Sequence, residues 1–240
     1  MRFALISDVH LEFNSWTPPQ LDVDLVVLAG DIHPGVLGVI WANEHFGNTP
    51  VLYVPGNHEF YGKRSVNRHP LKMKAKAEEL GGRVRVLHNE AWEFMGVKFL
   101  GATLWTDYNL KGNPIQGMLN AELDMNDYRR CVYDTHTRLR ATHLRTENLL
   151  SKQFLFENMD SNTVVVTHHP MSPQALKNPY DAHAPAYASN FENELMHFQP
   201  LVCCSGHTHY NVDFMLGETR MVSNCRGYED GPYEPLVIEV

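Results

Sequence analysis

Apolar positions along the chain fall into short runs, each cut off by glycine, proline or a polar cluster. Arg2–Ile6, Asp24–Ala29, Val51–Val54, Arg83–Leu87, Thr163–Thr167 and Leu201–Ser205 are too short for helices and rich in Val, Leu or Ile, so they predict strands. The run at Asp24–Ala29 is apolar enough for a strand buried on both faces. Trp92–Gly101 alternates sides and turns at Met95-Gly96, the pattern of a hairpin. Three more strands are expected at Val212–Met215, Arg220–Ser223 and Leu236–Val240. Helices are expected at Val36–Phe46, at Pro70–Leu80 before Gly81-Gly82, and at Ser189–Phe198. From Thr103 to Asn162 strand signals stop, and helical spacing predicts helices over Met118–Tyr128 and His136–Glu157. No linker composition bounds that segment. It reads as a helical insertion or cap at 103–162 within a single domain of 1–240. Met171–Ala188, rich in Pro, Ala and Asn, is expected to be a loop able to fold over a site.

A chain of 240 residues is long enough for a large core, and its apolar and charged fractions are those of a globular protein. No apolar run approaches the roughly 20 residues of a membrane helix, so no membrane partner is expected. The first strand starts at Arg2, which leaves no room for a signal peptide, and a cytoplasmic protein is expected. Cys203 and Cys204 are adjacent, Cys131 and Cys225 stand alone, and no zinc-thiolate spacing occurs; buried free thiols are expected. A formal charge of −8 argues against a general nucleic-acid binder. An anionic substrate remains compatible with it, because bound divalent cations add local positive charge. Basic residues gather between Lys63 and Arg85 and read as a solvated helix face. The arginines between Arg129 and Arg145 either line solvated helices or border the entrance to a site.

Chemistry concentrates where strands end. Arg2–Ile6 is followed by Ser7-Asp8-Val9-His10, which puts two metal-competent side chains on one turn. Asp24–Ala29 runs into Gly30-Asp31, and Val51–Val54 into Pro55-Gly56-Asn57-His58-Glu59. Thr163–Thr167 ends at His168-His169-Pro170, and Leu201–Ser205 at Gly206-His207-Thr208-His209. Asp8 and Asp31 could each cap a following helix, and His33 reads as a loop residue. Each motif alone is weak; five in one chain, all beyond strand ends, are a strong signal. Ligands of α/β sheets collect at such ends.

With those motifs in that order, the chain resembles the calcineurin-like metallophosphoesterase superfamily over nearly its whole length, most weakly at 103–162. The resemblance implies an α/β fold of two packed mixed β-sheets flanked by helices. It implies two divalent ions, Mn first, with Fe, Zn or Co as alternatives. Carried over by motif, Asp8, His10 and His209 would bind one ion. Asn57, His168 and His207 would bind the other, and Asp31 would bridge both. His58 would bind neither and would face the leaving group, with Glu59 as a partner that orients it. The implied activity is hydrolysis of a small phosphorylated substrate by a metal-bridging hydroxide.

Departures from subfamilies narrow this further. Gly30-Asp31 continues Ile-His-Pro-Gly, unlike the Val-Asp-Arg-Gly of Ser/Thr protein phosphatases. No tyrosine stands three residues after Asp31, as it does in purple acid phosphatases. The arginine of lipid A pathway pyrophosphatases is replaced by His58. What remains is similar to small bacterial or phage-type phosphoesterases, many of which act on phosphodiesters. A phosphodiesterase is therefore expected, with a phosphomonoesterase, a nuclease or a non-catalytic scaffold as alternatives.

Overall fold

The computed structural model describes all residues from 1 to 240. Eleven of the thirteen strands form two stacked mixed sheets with helices outside them, and the other two form a small hairpin. The first sheet holds β1 (Arg2–Ile6), β2 (Leu25–Leu28), β3 (Val51–Tyr53), β4 (Val84–Val86) and β13 (Leu236–Glu239), in the order β13-β1-β2-β3-β4. β1 to β4 are mutually parallel and β13 is antiparallel to β1. The second sheet holds β5 (Glu90–Phe94), β6 (Val97–Ala102), β9 (Thr163–Thr167), β10 (Val202–Ser205), β11 (Asp213–Leu216) and β12 (Thr219–Ser223), in the order β11-β12-β10-β9-β6-β5. Its four inner strands are parallel, and β11 and β5 are antiparallel edges.

Side-chain alternation explains why the inner strands read as unbroken apolar runs. Phe3, Leu5, Leu25 and Val27 point between the sheets, where they meet Phe99, Val164, Val166, Val202 and Cys204. Their neighbours Ile6, Val26 and Leu28 point outward onto α1 (Leu37–His45) and α2 (His69–Glu79) through Val39, Ala42, Met73 and Ala77. The outer face of the second sheet is covered in the same way by α5 (Ala141–Asn158) and α6 (Glu192–Phe198). Full burial of each such Leu or Phe contributes roughly 1.5–3 kcal/mol.

Register brings the functional turns together. Ile6 pairs with Leu28 and Leu28 with Tyr53, so the turns after β1, β2 and β3 leave the sheet side by side. Val166 pairs with Cys204, which aligns the turns after β9 and β10. All five emerge at carboxyl ends of parallel strands.

The segment 103–162 departs from its expected form. It is built from α3 (Pro114–Asp124), the single-turn α4 (Asp127–Arg130) and α5, with a small hairpin of β7 (Val132–Asp134) and β8 (Thr137–Arg138) between them. The helix expected from His136 therefore starts only at Ala141. Val66 N donates to Val132 O and Val132 N to Arg64 O, so the hairpin zips onto the chain beyond β3 and takes strand geometry from that partner. Phe60, Trp105, Tyr108, Tyr128, Leu139 and Leu144 form a core of their own beneath this cap. The loop 171–188 carries two short 3-10 turns, Pro173–Ala175 and Ala184–Ala186. No helix is long and apolar enough to cross a membrane. All four cysteines are free and buried.

Candidate metal centre

A strand running straight on would carry its side chains past the cleft, so the chain must reverse where the ligands stand. Asp8, His10, Asp31, His207 and His209 all take positive φ, between 49° and 70°. Non-glycine residues pay for this conformation with about 1–3 kcal/mol each, and such strain gathers at functional sites. Packing around the turns leaves no slack. A Cβ on Gly56 would stand 2.2 Å from Asp31 Oδ1, and one on Gly206 would stand 2.0 Å from Ser7 Oγ and 2.5 Å from Asp8 Oδ2.

The structure brings together all eight of the motif residues. Asp8, His10 and His209 form one cluster of ligand atoms, and Asp31, His168 and His207 form another. In the first, His10 Nε2 and His209 Nε2 stand 3.0 Å apart, and His209 Nε2 is 3.4 Å from Asp8 Oδ1. In the second, Asn57 Oδ1 lies 3.0 Å from His168 Nε2 and 3.1 Å from His207 Nδ1. Asp31 Oδ2 sits between the clusters, 3.8 Å from His10 Nε2 and 3.4 Å from His168 Nε2. His58 Nε2 is 3.9 Å from the same oxygen and joins His10 and Asp31 in a third group, so proximity alone does not separate a ligand from a group facing substrate.

Hydrogen bonds on the far sides of the rings aim these atoms inward. His168 Nδ1 donates to Ala29 O at 2.8 Å, which leaves the Nε2 lone pair pointing into the cleft. His169 turns away; its Nδ1 lies 3.1 Å from Thr103 O, and burial lowers its pKa to about 3. Asp8 accepts from the His207 backbone N–H at 3.0 Å and Asp31 from that of His58 at 2.8 Å. Burial raises the pKa of the Asp31 carboxyl, but the histidines around it outweigh this and hold it well below the usual range. Asp31 and Asp8 in turn raise His168 against its burial. A field that attracts a proton this strongly also attracts a metal cation.

The carboxylate that touches His58 is Glu12, not Glu59. Glu12 Oε1 is 2.6 Å from His58 Nδ1 and 3.4 Å from His10 Nδ1, so one carboxylate steers both rings. Glu59 is instead fully buried and clips strand ends together. It accepts from Asp31 N at 3.0 Å, Ile32 N at 2.8 Å, Gly56 N at 2.7 Å and the Tyr53 hydroxyl at 2.7 Å. Three further residues carried no sequence motif. Tyr61 packs on His58 with ring centres 4.1 Å apart. Asp127, from the cap, accepts from Asn57 Nδ2 at 2.9 Å. Tyr228 lies 4.5 Å from the rings of both His10 and His209. It follows β12 in a turn tied to Asp8 by a bond from Gly227 N to Asp8 O at 3.0 Å. The strand-end pattern therefore extends to a sixth turn.

Residues 1–211 match the family model described as calcineurin-like phosphoesterase. The chain belongs to this family. As a calcineurin-like phosphoesterase it is 26% identical over 195 residues to the uncharacterized protein L509 of Acanthamoeba polyphaga mimivirus, covering 74% of this chain and 68% of that one. In fold it is similar to the phosphopantetheinyl hydrolase of Mycobacterium tuberculosis, with a TM-score of 0.72 and 18% identity over 94% of this chain and 89% of that one.

The family's divalent ions suit the side chains present. Every converging donor is an imidazole nitrogen, carboxylate or amide oxygen, a set that fits Mn, Fe, Zn or Co. Burial lowers the pKa of the His207 ring, which favours the neutral form that can ligate through Nδ1, 3.1 Å from Asn57 Oδ1. Beside the clusters a cavity of about 390 Å³ opens at Thr208, walled by Met125 of the cap and by Leu176, Lys177 and Tyr187 of the 171–188 loop.

Proposed function

We propose that this calcineurin-like phosphoesterase hydrolyses small phosphodiesters at a centre of two divalent ions, Mn first among them. The observation that carries the proposal is the Asp31 carboxylate, shared between one cluster through His10 and the other through His168, with His58 on its flank. Asp8, His10 and His209 would hold one ion, and Asn57, His168 and His207 the other. When bound, such ions polarise phosphoryl oxygens and lower the pKa of coordinated water. The remaining work falls to the chain's own side chains. Glu12 anchors His58 by Nδ1, which turns Nε2 toward the cleft, where it can give a proton to the departing oxygen. Burial opposes charge on that ring, but Asp31 and Glu12 raise its pKa to about 9, which favours a proton on it.

Preference for a diester follows from the sparse positive charge around the clusters. A monoester dianion needs more cationic contact than a diester monoanion. Two of the cap arginines are engaged away from the clusters, Arg129 donating to Leu123 O and Arg140 pairing with Glu122 at 3.0 Å, while Arg130 lies over the Tyr61 ring at the border of the site, 5.4 Å from its centre. The cavity at Thr208 offers room for the organic part of a small substrate, and nucleic acid is not favoured. A cytoplasmic setting belongs to the same reading, since all four cysteines are unpaired. The test compares kcat/KM for bis(p-nitrophenyl) phosphate and p-nitrophenyl phosphate at matched Mn and pH. The diester is expected to be hydrolysed at least as well. A tenfold preference for the monoester, about 1.4 kcal/mol in transition-state stabilisation, would replace this reading with a phosphomonoesterase.

A further inference from the structure

We infer that the helical cap completes the second ion's site and that Asp127 is the positioning residue through which it does so. The inference rests on the two-ion reading above. Asp127 opens α4 and is buried, with no lysine or arginine in ion-pair reach. Its Oδ1 accepts from Asn57 Nδ2 at 2.9 Å and from the Tyr61 hydroxyl at 3.0 Å. A carboxylate only accepts, so the nitrogen of the Asn57 amide must face Asp127 and the oxygen must face the cleft. That orientation puts Oδ1 beside His168 Nε2 and His207 Nδ1. Without Asp127 the far-side partner left to the amide is the Tyr61 hydroxyl, 3.3 Å from Nδ2, which can donate as well as accept and so does not fix the orientation, and an NH₂ group cannot ligate a cation. The buried charge of Asp127, one amide away, adds attraction for the ion.

Asp127 is in turn held by the cap. The next residue, Tyr128, is buried in the cap core and shares a hydroxyl–hydroxyl bond of 2.6 Å with Tyr108. Lys63 N donates to Arg130 O at 2.7 Å and Val66 N to Val132 O at 2.9 Å, which ties the cap to the chain that carries Asn57. A ligand that binds only the assembled site stabilises that assembly, and the coupling is reciprocal. Occupancy of the second site therefore steadies the cap, and a loosened cap weakens that site while sparing the one formed by Asp8, His10 and His209.

The experiment measures Mn binding by equilibrium titration, and amide exchange of residues 114–139 with and without Mn. It compares the wild type with Asp127→Ala, Asp127→Asn and Tyr61→Phe. In Asp127→Ala one of the two sites is expected to lose about 10–100-fold in affinity, the range for removing a group that orients a metal ligand, with the other unchanged. Asp127→Asn keeps an acceptor oxygen and should lose less. It is nearly isosteric, so it carries the test if the alanine variant does not fold. Mn should slow exchange around Asn126–Val132 in the wild type and much less in Asp127→Ala. Wild-type affinity at both sites in a folded Asp127→Ala protein, or in both conservative variants, would overturn the inference while leaving the two-ion reading intact. So would cap exchange in the wild type that ignores Mn. A wild type that takes up only one ion would remove the two-ion reading, and this inference with it.

Discussion

Two glutamates stand near His58, Glu59 next to it in the chain and Glu12 46 residues away, and their neighbours give them different work. Glu12 reaches His58 Nδ1 at 2.6 Å, and the His10 and His58 contacts lower its pKa to about 2 although burial pulls the other way. It is therefore ionised throughout the neutral range and holds a proton on Nδ1 of the ring it faces. The His58→Ala variant is expected to lose about 10²–10⁴-fold in turnover, the usual contribution of a general acid, while keeping its ions. Glu12→Gln keeps an acceptor at Nδ1 but removes the charge, so the loss should be smaller and the pH profile of kcat should move to lower pH. Turnover and ion content measured on the same preparations check both. An ion lost from His58→Ala would make His58 a ligand and cancel its assigned role. None of this was legible for Glu12 in the sequence. It lies past the Asp-x-His pair, and only the turn of residues 8–14 and the arrival of His58 from β3 bring it into use.

At the scale of elements, the site depends on how the turns after β2 and β3 are joined. Glu59 is the joint, since its two oxygens take three backbone N–H groups and one hydroxyl from those turns. Glu59→Gln replaces one acceptor oxygen with a donor that faces N–H groups. Leaving buried donors unsatisfied costs about 1–3 kcal/mol each, so the variant should lose roughly 2–4 kcal/mol in urea unfolding. Its metal affinity should fall too, because Asp31 and Asn57 lie on the loosened turns. Wild-type stability would show that Glu59 is not the joint. The inner strands β2, β3, β9 and β10 are readable because each apolar run is short and buried on both faces. The hairpin β7–β8 was not, because Val132–Asp134 is only half-buried and Thr137–Arg138 exposed. Its pairing comes from Arg64 and Val66, far back in the sequence, so β7 left no signal and the helix expected from His136 covers β8.

For the whole molecule, the sandwich does one thing for function: it aligns the carboxyl ends of parallel strands from two sheets around a shared cleft. Asp8, Asp31, Asn57, His168 and His207 could be named from sequence because each follows directly on an apolar run. Residues that act on them from other layers, Asp127 and Tyr61 through the cap and Tyr228 through the turn after β12, could not. Their distance from the motifs along the chain hides a contact that only folding makes. The proposed chemistry depends on Asp31 serving two cation sites at once. The most direct test is the number of ions bound per chain, measured by native mass spectrometry on protein purified without chelator and then equilibrated with Mn. Two ions per wild-type chain are expected, with both bound more weakly in Asp31→Asn, since the shared negative charge is gone. Saturation at a single ion in the wild type would contradict the account.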